Sequence, residues 1–329
     1  MSKPLPDFDS LPKVEGQPQG NAWGYWGKDD QLGTLNLLTK KVKLDALKEV
    51  RLGESCQLDL RLDFFAHRVA GREGFKQKIL DFKKANAGGM YEIYAHDDVV
   101  TFNTQGSSQW DGFRHVGLQG PGTYFNGMKH EDISQDEIGR NGIHKWVEKG
   151  GIVGRGVLLD YLRWQQETGK PVKKADASTE ITVAELEAVA RYQGTTLKHG
   201  DILIIRMGFT DWYKKTSRSD AQEALEVGAF IGLQASMEMV KWIWNNHFAA
   251  IACDSLGLEV CPAPFGAKDK VCLHEWMLAH WGCPIGELWN LEDLSKFCAG
   301  AGQWSFLFTS APLHVFGGVG SPANAIALL

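Results

Sequence analysis

Apolar residues in the second half of this chain fall into short, nearly continuous runs bounded by glycine and charge. Such runs occur at residues 151–161 (GIVGRGVLLDY), 202–205 (ILII), 249–254 (AAIACD) and 306–309 (FLFT). They are too short for buried helices and too continuous for half-exposed strands, so they predict strands covered on both faces. Residues 314–316 are expected to finish the sheet. In the first half, residues 55–65 (SCQLDLRLDFF) alternate in part and read as a strand, and residues 91–104 read as strand, turn, strand. Helical patterns occupy residues 39–50, 233–246 and 271–281, the last closed by Gly282 with Pro284 two residues on. Thr182 and Glu185 form a capping box that opens a further helix running to residue 193, because each side chain can satisfy an amide the first turn leaves unpaired. Residues 28–36 read as a turn. Residues 68–90, basic and glycine-rich with little periodicity, read as a mobile excursion near a site entrance.

Strands alternating with helices predict a mixed α/β layer. The expected organisation is an irregular arm over residues 1–22, lying on the surface or on a neighbouring subunit, and one domain over residues 23–329. A chain of 329 residues can bury one large core. The net charge of −5, with no long basic run, argues against nucleic acid as a partner. No uncharged apolar run approaches the roughly 18 residues of a membrane span. The first twenty residues have no apolar core of a secretory signal, so a cytoplasmic protein with reduced thiols is expected. None of the six cysteines forms C-x-x-C, which removes zinc ribbons and thioredoxin-type pairs. Twelve tryptophans are many, and suit either a core, an aromatic pocket or an interface.

The densest polar stretch is residues 105–115 (QGSSQWDGFRH), placed directly after an expected strand. Gln105, Gln109, Asp111, Arg114 and His115 among small residues suit convergent polar groups in a pocket. The stretch resembles the motif His-x3-His-x-Asp-x3-His of the putative-cyclase superfamily, which includes kynurenine formamidases and isatin hydrolases. Asp111 and His115 match, while glutamine stands in place of the first two histidines. Five further segments follow in the family's order. These are residues 154–160 (GRGVLLD), residues 200–208 (GDILIIRMG), Asp254-Ser255 with Glu259, residues 273–288, and the turn at residues 317–323 (GGVGSPA). The resemblance covers residues 20–329.

The resemblance implies a single α/β domain with a mixed, curled sheet flanked by helices. It implies a hydrolase that opens a small, aromatic amide, lactam or lactone with activated water, and commonly a homodimer or homotetramer. By carry-over His115 is the acid/base residue. Asp111 and Glu287 are metal ligands, with His274 or Glu275 as the late ligand. Gln105 and Gln109 are either weak oxygen ligands of a divalent metal such as Mn²⁺ or Zn²⁺, or, without metal, donors to a substrate oxyanion. Arg114 suits a substrate carboxylate or a structural acid, and Trp23, Tyr25, Trp26 and Trp110 suit an aromatic pocket or the core. The rival readings are a metal-independent cyclase, dehydratase or lyase using Asp111 and His115, and a non-catalytic binder of a small ligand. There is no G-x-G-x-x-G between strand and helix, no P-loop and no G-x-S-x-G elbow.

Overall fold

The computed structural model describes residues 5–65, 69–83, 93–135 and 137–329. Its strands are β1 (Ser55–Gln57), β2 (Lys76–Asp81), β3 (His96–Thr101), β4 (Gln109–Asp111), β5 (Ile152–Asp160), β6 (Glu180–Ile181), β7 (Ile202–Arg206), β8 (Gly232–Leu233), β9 (Ala250–Cys253), β10 (Ile285–Glu287), β11 (Ser305–Ser310), β12 (Gly320–Ser321) and β13 (Ala325–Leu328). Nine of them form one mixed sheet in the order β1-β13-β11-β5-β7-β9-β10-β4-β12. The centre, β5-β7-β9-β10, is parallel, and the flanks are antiparallel. Every residue of β7 and β9 is buried, as their unbroken apolar sequences require.

Parallel neighbours need crossover connections, and helices supply them. Tyr161–Glu167 and Val183–Tyr192 lie between β5 and β7, and Met237–Asn245 precedes β9. The capping box of Thr182 and Glu185 forms as expected. Met237–Asn245 begins later than its apolar pattern, because Ser236 caps it and residues 232–233 pair with β6 instead. Residues 275–281 form a π-helix, closed by Gly282 at φ +63°, a conformation that favours glycine. The strand expected over 55–65 stops after residue 57. Asp59 then accepts the backbone N–H groups of Asn324 and Ala325 at 2.9 and 2.8 Å in place of a continued ladder. Residues 314–316 form no strand; the Gly318 N–H on the Val315 carbonyl closes a turn over residues 315–318, and β12 and β13 complete the sheet. Of the expected strand, turn, strand over 91–104, one strand forms, β3. It pairs with β2, which lies in the stretch expected to be an excursion, as an exposed two-stranded sheet, and residues 84–92 lie outside the described residues.

Two crossed ion pairs span β5 and β7. Arg155 lies 2.7 Å from Asp201 and 2.8 Å from Glu49, and Arg206 lies 3.0 Å from Asp160 and 2.8 Å from Glu292. Residues 5–22 pack on their own chain. Phe8 is buried against Trp276 and Trp281, and Trp281 donates to the Gly20 carbonyl.

Candidate active site

The pleat of β4 decides which polar side chains meet. Alternate residues point to opposite faces, so Gln109 and Asp111 share one face and Trp110 takes the other. Trp110 is fully buried, stacks edge-on against Trp289 with ring centres 4.9 Å apart, and donates from Nε1 to Ser310 at 2.9 Å. It is core, not a pocket wall. The antiparallel β10 places Glu287 opposite Gln109 and Ile285 opposite Asp111. Glu287 therefore joins the same face, where Gln109 Nε2 donates to Glu287 Oε2 at 3.0 Å and the Leu258 N–H donates to Oε1 at 2.9 Å.

His274, on the helical turn that enters the π-helix, closes the group. Its Nε2 lies 3.1 Å from Glu287 Oε1 and 3.6 Å from Asp111 Oδ2. Its other ring nitrogen, Nδ1, lies 2.5 Å from Glu259 Oε2. Glu259 Oε1 accepts the His274 backbone N–H at 3.2 Å and the Cys272 thiol at 3.3 Å. Asp111, His274 and Glu287 each offer one atom within 4.8 Å of the others, and all three are buried. That spacing suits a divalent cation. His115 Nε2 stands 4.0 Å from Asp111 Oδ1 and retains partial exposure, so the cluster opens to solvent through it. Gln105 comes from the turn before β4. Its amide lies over Gly320, where an added Cβ would stand 2.3 Å from Gln105 Nε2 and 2.9 Å from the Trp110 carbonyl.

Five buried polar atoms on this face have no hydrogen-bond partner among the described residues: both carboxylate oxygens of Asp111, Oε1 of Gln109, and Oε1 and Nε2 of Gln105. Buried polar atoms are nearly always satisfied, and exceptions cluster where a ligand or ion belongs. Four of the five are oxygens, a donor set that fits a hard divalent cation better than a thiolate-seeking one.

The electrostatics are those of carboxylates sharing one cationic ring. Burial alone would raise the Asp111 carboxyl, but His115, His274 and Arg72 outweigh it and hold Asp111 below its ordinary value. Burial and the Asp111 charge push Glu287 up. Burial opposes protonation of His274, yet Glu259, Asp111 and Glu287 raise it well above an ordinary histidine. Burial pulls His115 down against the attraction of Asp111, so it is disposed to stay neutral.

Other expected site residues lie elsewhere. Arg114 donates to the backbone carbonyls of Arg140 at 2.6 Å and Gly317 at 3.1 Å, which fixes the turn before β12. Trp23, Tyr25 and Trp26 line a separate cavity of about 870 Å³ with Leu11, Asn21 and His199, because the N-terminal arm folds over the π-helix there. Glu275, one residue past His274, turns away and accepts the Gly266 N–H at 3.3 Å. Two residues outside the expected set adjoin these groups. Glu259 was visible as the last residue of the Asp254 to Glu259 turn, but its role needs the fold. Arg72, bonded to the Gln105 carbonyl at 3.0 Å, comes from a stretch without periodicity and gave no signal.

Residues 35–260 match the family described as "Putative cyclase". A crystal structure described as a novel cyclase is 28% identical, covers 94% of this chain and 99% of its own, and superposes with a TM-score of 0.80. Isatin hydrolase A from Ralstonia solanacearum is 16% identical, with a TM-score of 0.55 over 83% of this chain and 91% of its own. An isatin hydrolase bound to the product analogue thioisatinate is 13% identical, with a TM-score of 0.54 over 88% of this chain and 99% of its own. At those last identities the likeness is one of fold. No curated protein matches the sequence.

Proposed function

The chain belongs to the putative cyclase family, and on that premise we propose that it is a hydrolase of small, aryl-bearing amides, lactams or lactones. The observation that carries this reading is the convergence of five unpartnered buried polar atoms on one face, beside a histidine disposed to be neutral. The fold shared with isatin hydrolases agrees with it.

Asp111, His274 and Glu287 would hold a divalent cation, with the carboxamide oxygens of Gln105 and Gln109 as neutral donors. When bound, the cation supplies a Lewis acid that polarises a carbonyl and makes water acidic near neutral pH. His115, the open member, takes the proton of the attacking water. The water oxygen bonds to the carbonyl carbon, the carbon–nitrogen or ring carbon–oxygen bond breaks, and the leaving atom receives the proton from His115. Asp111 faces His115 and stabilises it while it is charged. Glu259 fixes the His274 ring. The buried sheet face excludes bulk water.

A second reading is acid/base chemistry without metal, as in a cyclase, dehydratase or lyase. It is favoured by one observation: the His274 ring lies within 3.6 Å of three carboxylates, Glu259, Glu287 and Asp111, which it can balance when protonated. The test is elemental analysis of protein purified without chelator or His-tag, followed by assays on aryl formamides, lactams and lactones before and after chelation. About one equivalent of metal, with activity lost on chelation and restored by Mn²⁺ or Zn²⁺, is the expected result. Metal-free protein with chelator-insensitive turnover overturns it in favour of the second reading.

A further inference from the structure

The cavity beneath the N-terminal arm shares no residue with the catalytic face, and the mechanism uses none of its walls. Its volume of about 870 Å³ falls within the roughly 300–1,000 Å³ of small-molecule sites. Trp23, Tyr25 and Trp26 supply an aromatic wall, and Leu11, Val14 and Leu37 an aliphatic one. Each of these six side chains is buried or half-buried, so the apolar area lines a hollow and does not stand out as an exposed face. The walls are fixed in place. Trp23 Nε1 donates to the Ala279 carbonyl of the π-helix at 2.6 Å, and the Trp26 ring centre lies 5.2 Å from Tyr25 and 6.4 Å from Trp244. The arm is pinned where Trp244 donates to the Pro6 carbonyl at 2.9 Å and the Phe8 N–H to Asn245 Oδ1 at 2.8 Å. Gln19 bridges the Phe8 and Leu11 carbonyls at 3.2 and 3.0 Å. A hollow with such walls costs little ordering when it fills. Its polar groups bear on the charge of what fills it. Asn21 and Asn36 spend their amide N–H groups on His280 and Asp30, each at 2.8 Å. Trp26 Nε1 and Lys13 Nζ, both donors, have no hydrogen-bond partner among the described residues. No aspartate or glutamate lines the cavity, whereas Lys13 and His199 do. An aromatic hollow with an open indole N–H, a cation and no acid matches a flat molecule of fused rings that bears a carboxylate.

We propose that this cavity is a second small-molecule site, separate from the catalytic face, that binds fused-ring aromatic carboxylates. The rings lie against Trp23, Tyr25 and Trp26, and the carboxylate accepts the Trp26 N–H and meets the Lys13 ammonium. The proposal does not depend on the hydrolase reading, because binding here needs no group of the catalytic face.

The test is calorimetric titration of 2-naphthoate and its neutral isostere 2-naphthamide into the full chain. Wild type should bind naphthoate more tightly than naphthamide, by about two- to tenfold. Lys13→Gln, a change at an exposed lysine, should weaken naphthoate by about two- to fivefold and leave naphthamide unmoved. Lys296→Gln, at an exposed lysine outside the cavity, should change neither. Val14→Trp fills the hollow from the half-buried arm and should abolish binding of both. Equal affinity for naphthoate and naphthamide in wild type would overturn the anionic class of ligand. Unchanged naphthoate binding in both Lys13→Gln and Val14→Trp would overturn the site itself and place the binding elsewhere, the catalytic face included. Sedimentation velocity on the same proteins reads the rival occupant, a second copy of the chain. No naphthoate binding by wild type, with an oligomer that Val14→Trp dissociates, would overturn the small-molecule site in favour of a subunit interface.

Discussion

Replacing Glu259 by glutamine changes almost no volume, yet it forces a choice on the ring at the centre of the site. Glu259 is fully buried and uses its two oxygens differently. Oε1 takes the His274 backbone N–H and the Cys272 thiol, and Oε2 takes His274 Nδ1 at 2.5 Å. A glutamine has one acceptor and one donor. If its oxygen stays with the backbone N–H, its amide faces Nδ1, which must give up its proton, so the ring becomes neutral with its one proton on Nε2, the nitrogen that faces Asp111 and Glu287. If the amide is turned the other way, it meets two donors and leaves a buried N–H unpaired, at about 1–3 kcal/mol. Partners of this kind are worth about ten- to a hundredfold in metal affinity or activity, or about 1.4–2.8 kcal/mol. The expected result for Glu259→Gln is therefore a Mn²⁺ or Zn²⁺ Kd weakened by that factor. Isotopic ¹⁵N shifts of His274 should show the altered tautomer, and urea unfolding should show that the fold persists. Metal binding within about twofold of wild type together with an unchanged His274 spectrum would refute the assignment of Glu259 as the residue that aims the ring.

Three other outcomes follow from the same geometry. Gly320→Ala places a methyl group against the Gln105 amide and the Trp110 carbonyl. It should cost about 1–3 kcal/mol in urea unfolding and lower kcat/KM by displacing Gln105, whereas unchanged kinetics would remove Gln105 from the site. Arg206→Met leaves Asp160 and Glu292 without their shared cation and should destabilise the fold by about 3–5 kcal/mol in denaturant titrations; a loss under about 1 kcal/mol would mean the pair is not effectively buried. Because burial lowers His115, the acid limb of kcat/KM should lie below the ordinary histidine value, with activity kept as the base stays neutral. His115→Ala should abolish that limb, and a limb centred above the ordinary value would exclude His115 as the base.

The central strands were legible in the sequence because burial on both faces leaves an unbroken apolar run, as in residues 202–205. Asp111 and the two glutamines were legible through motif spacing and Glu287 through the resemblance, and the pleat of β4 explains why Gln109 and Asp111 share a face while Trp110 takes the other. Composition left Trp23, Tyr25 and Trp26 open between an aromatic pocket and the core, and only the path of the N-terminal arm determines that they line a separate cavity. The choice between His274 and Glu275 is a matter of about 100° of helical rotation, which no one-dimensional pattern resolves.

The two crossed ion pairs of β5 and β7 carry a consequence for how the chain avoids error. Along β5 the order is cation then anion, Arg155 to Asp160, and along β7 it is anion then cation, Asp201 to Arg206, at equal separation. Parallel apolar strands are otherwise interchangeable: a slide by two residues would still set isoleucine against leucine. With charges at both ends, any slide breaks both cross-strand pairs at once, each broken buried pair costing about 3–5 kcal/mol. The strands are thus keyed like a lock with two pins. The key matters because β9 aligns on β7 and β10 on β9, and β10 carries Glu287 to its place opposite Gln109.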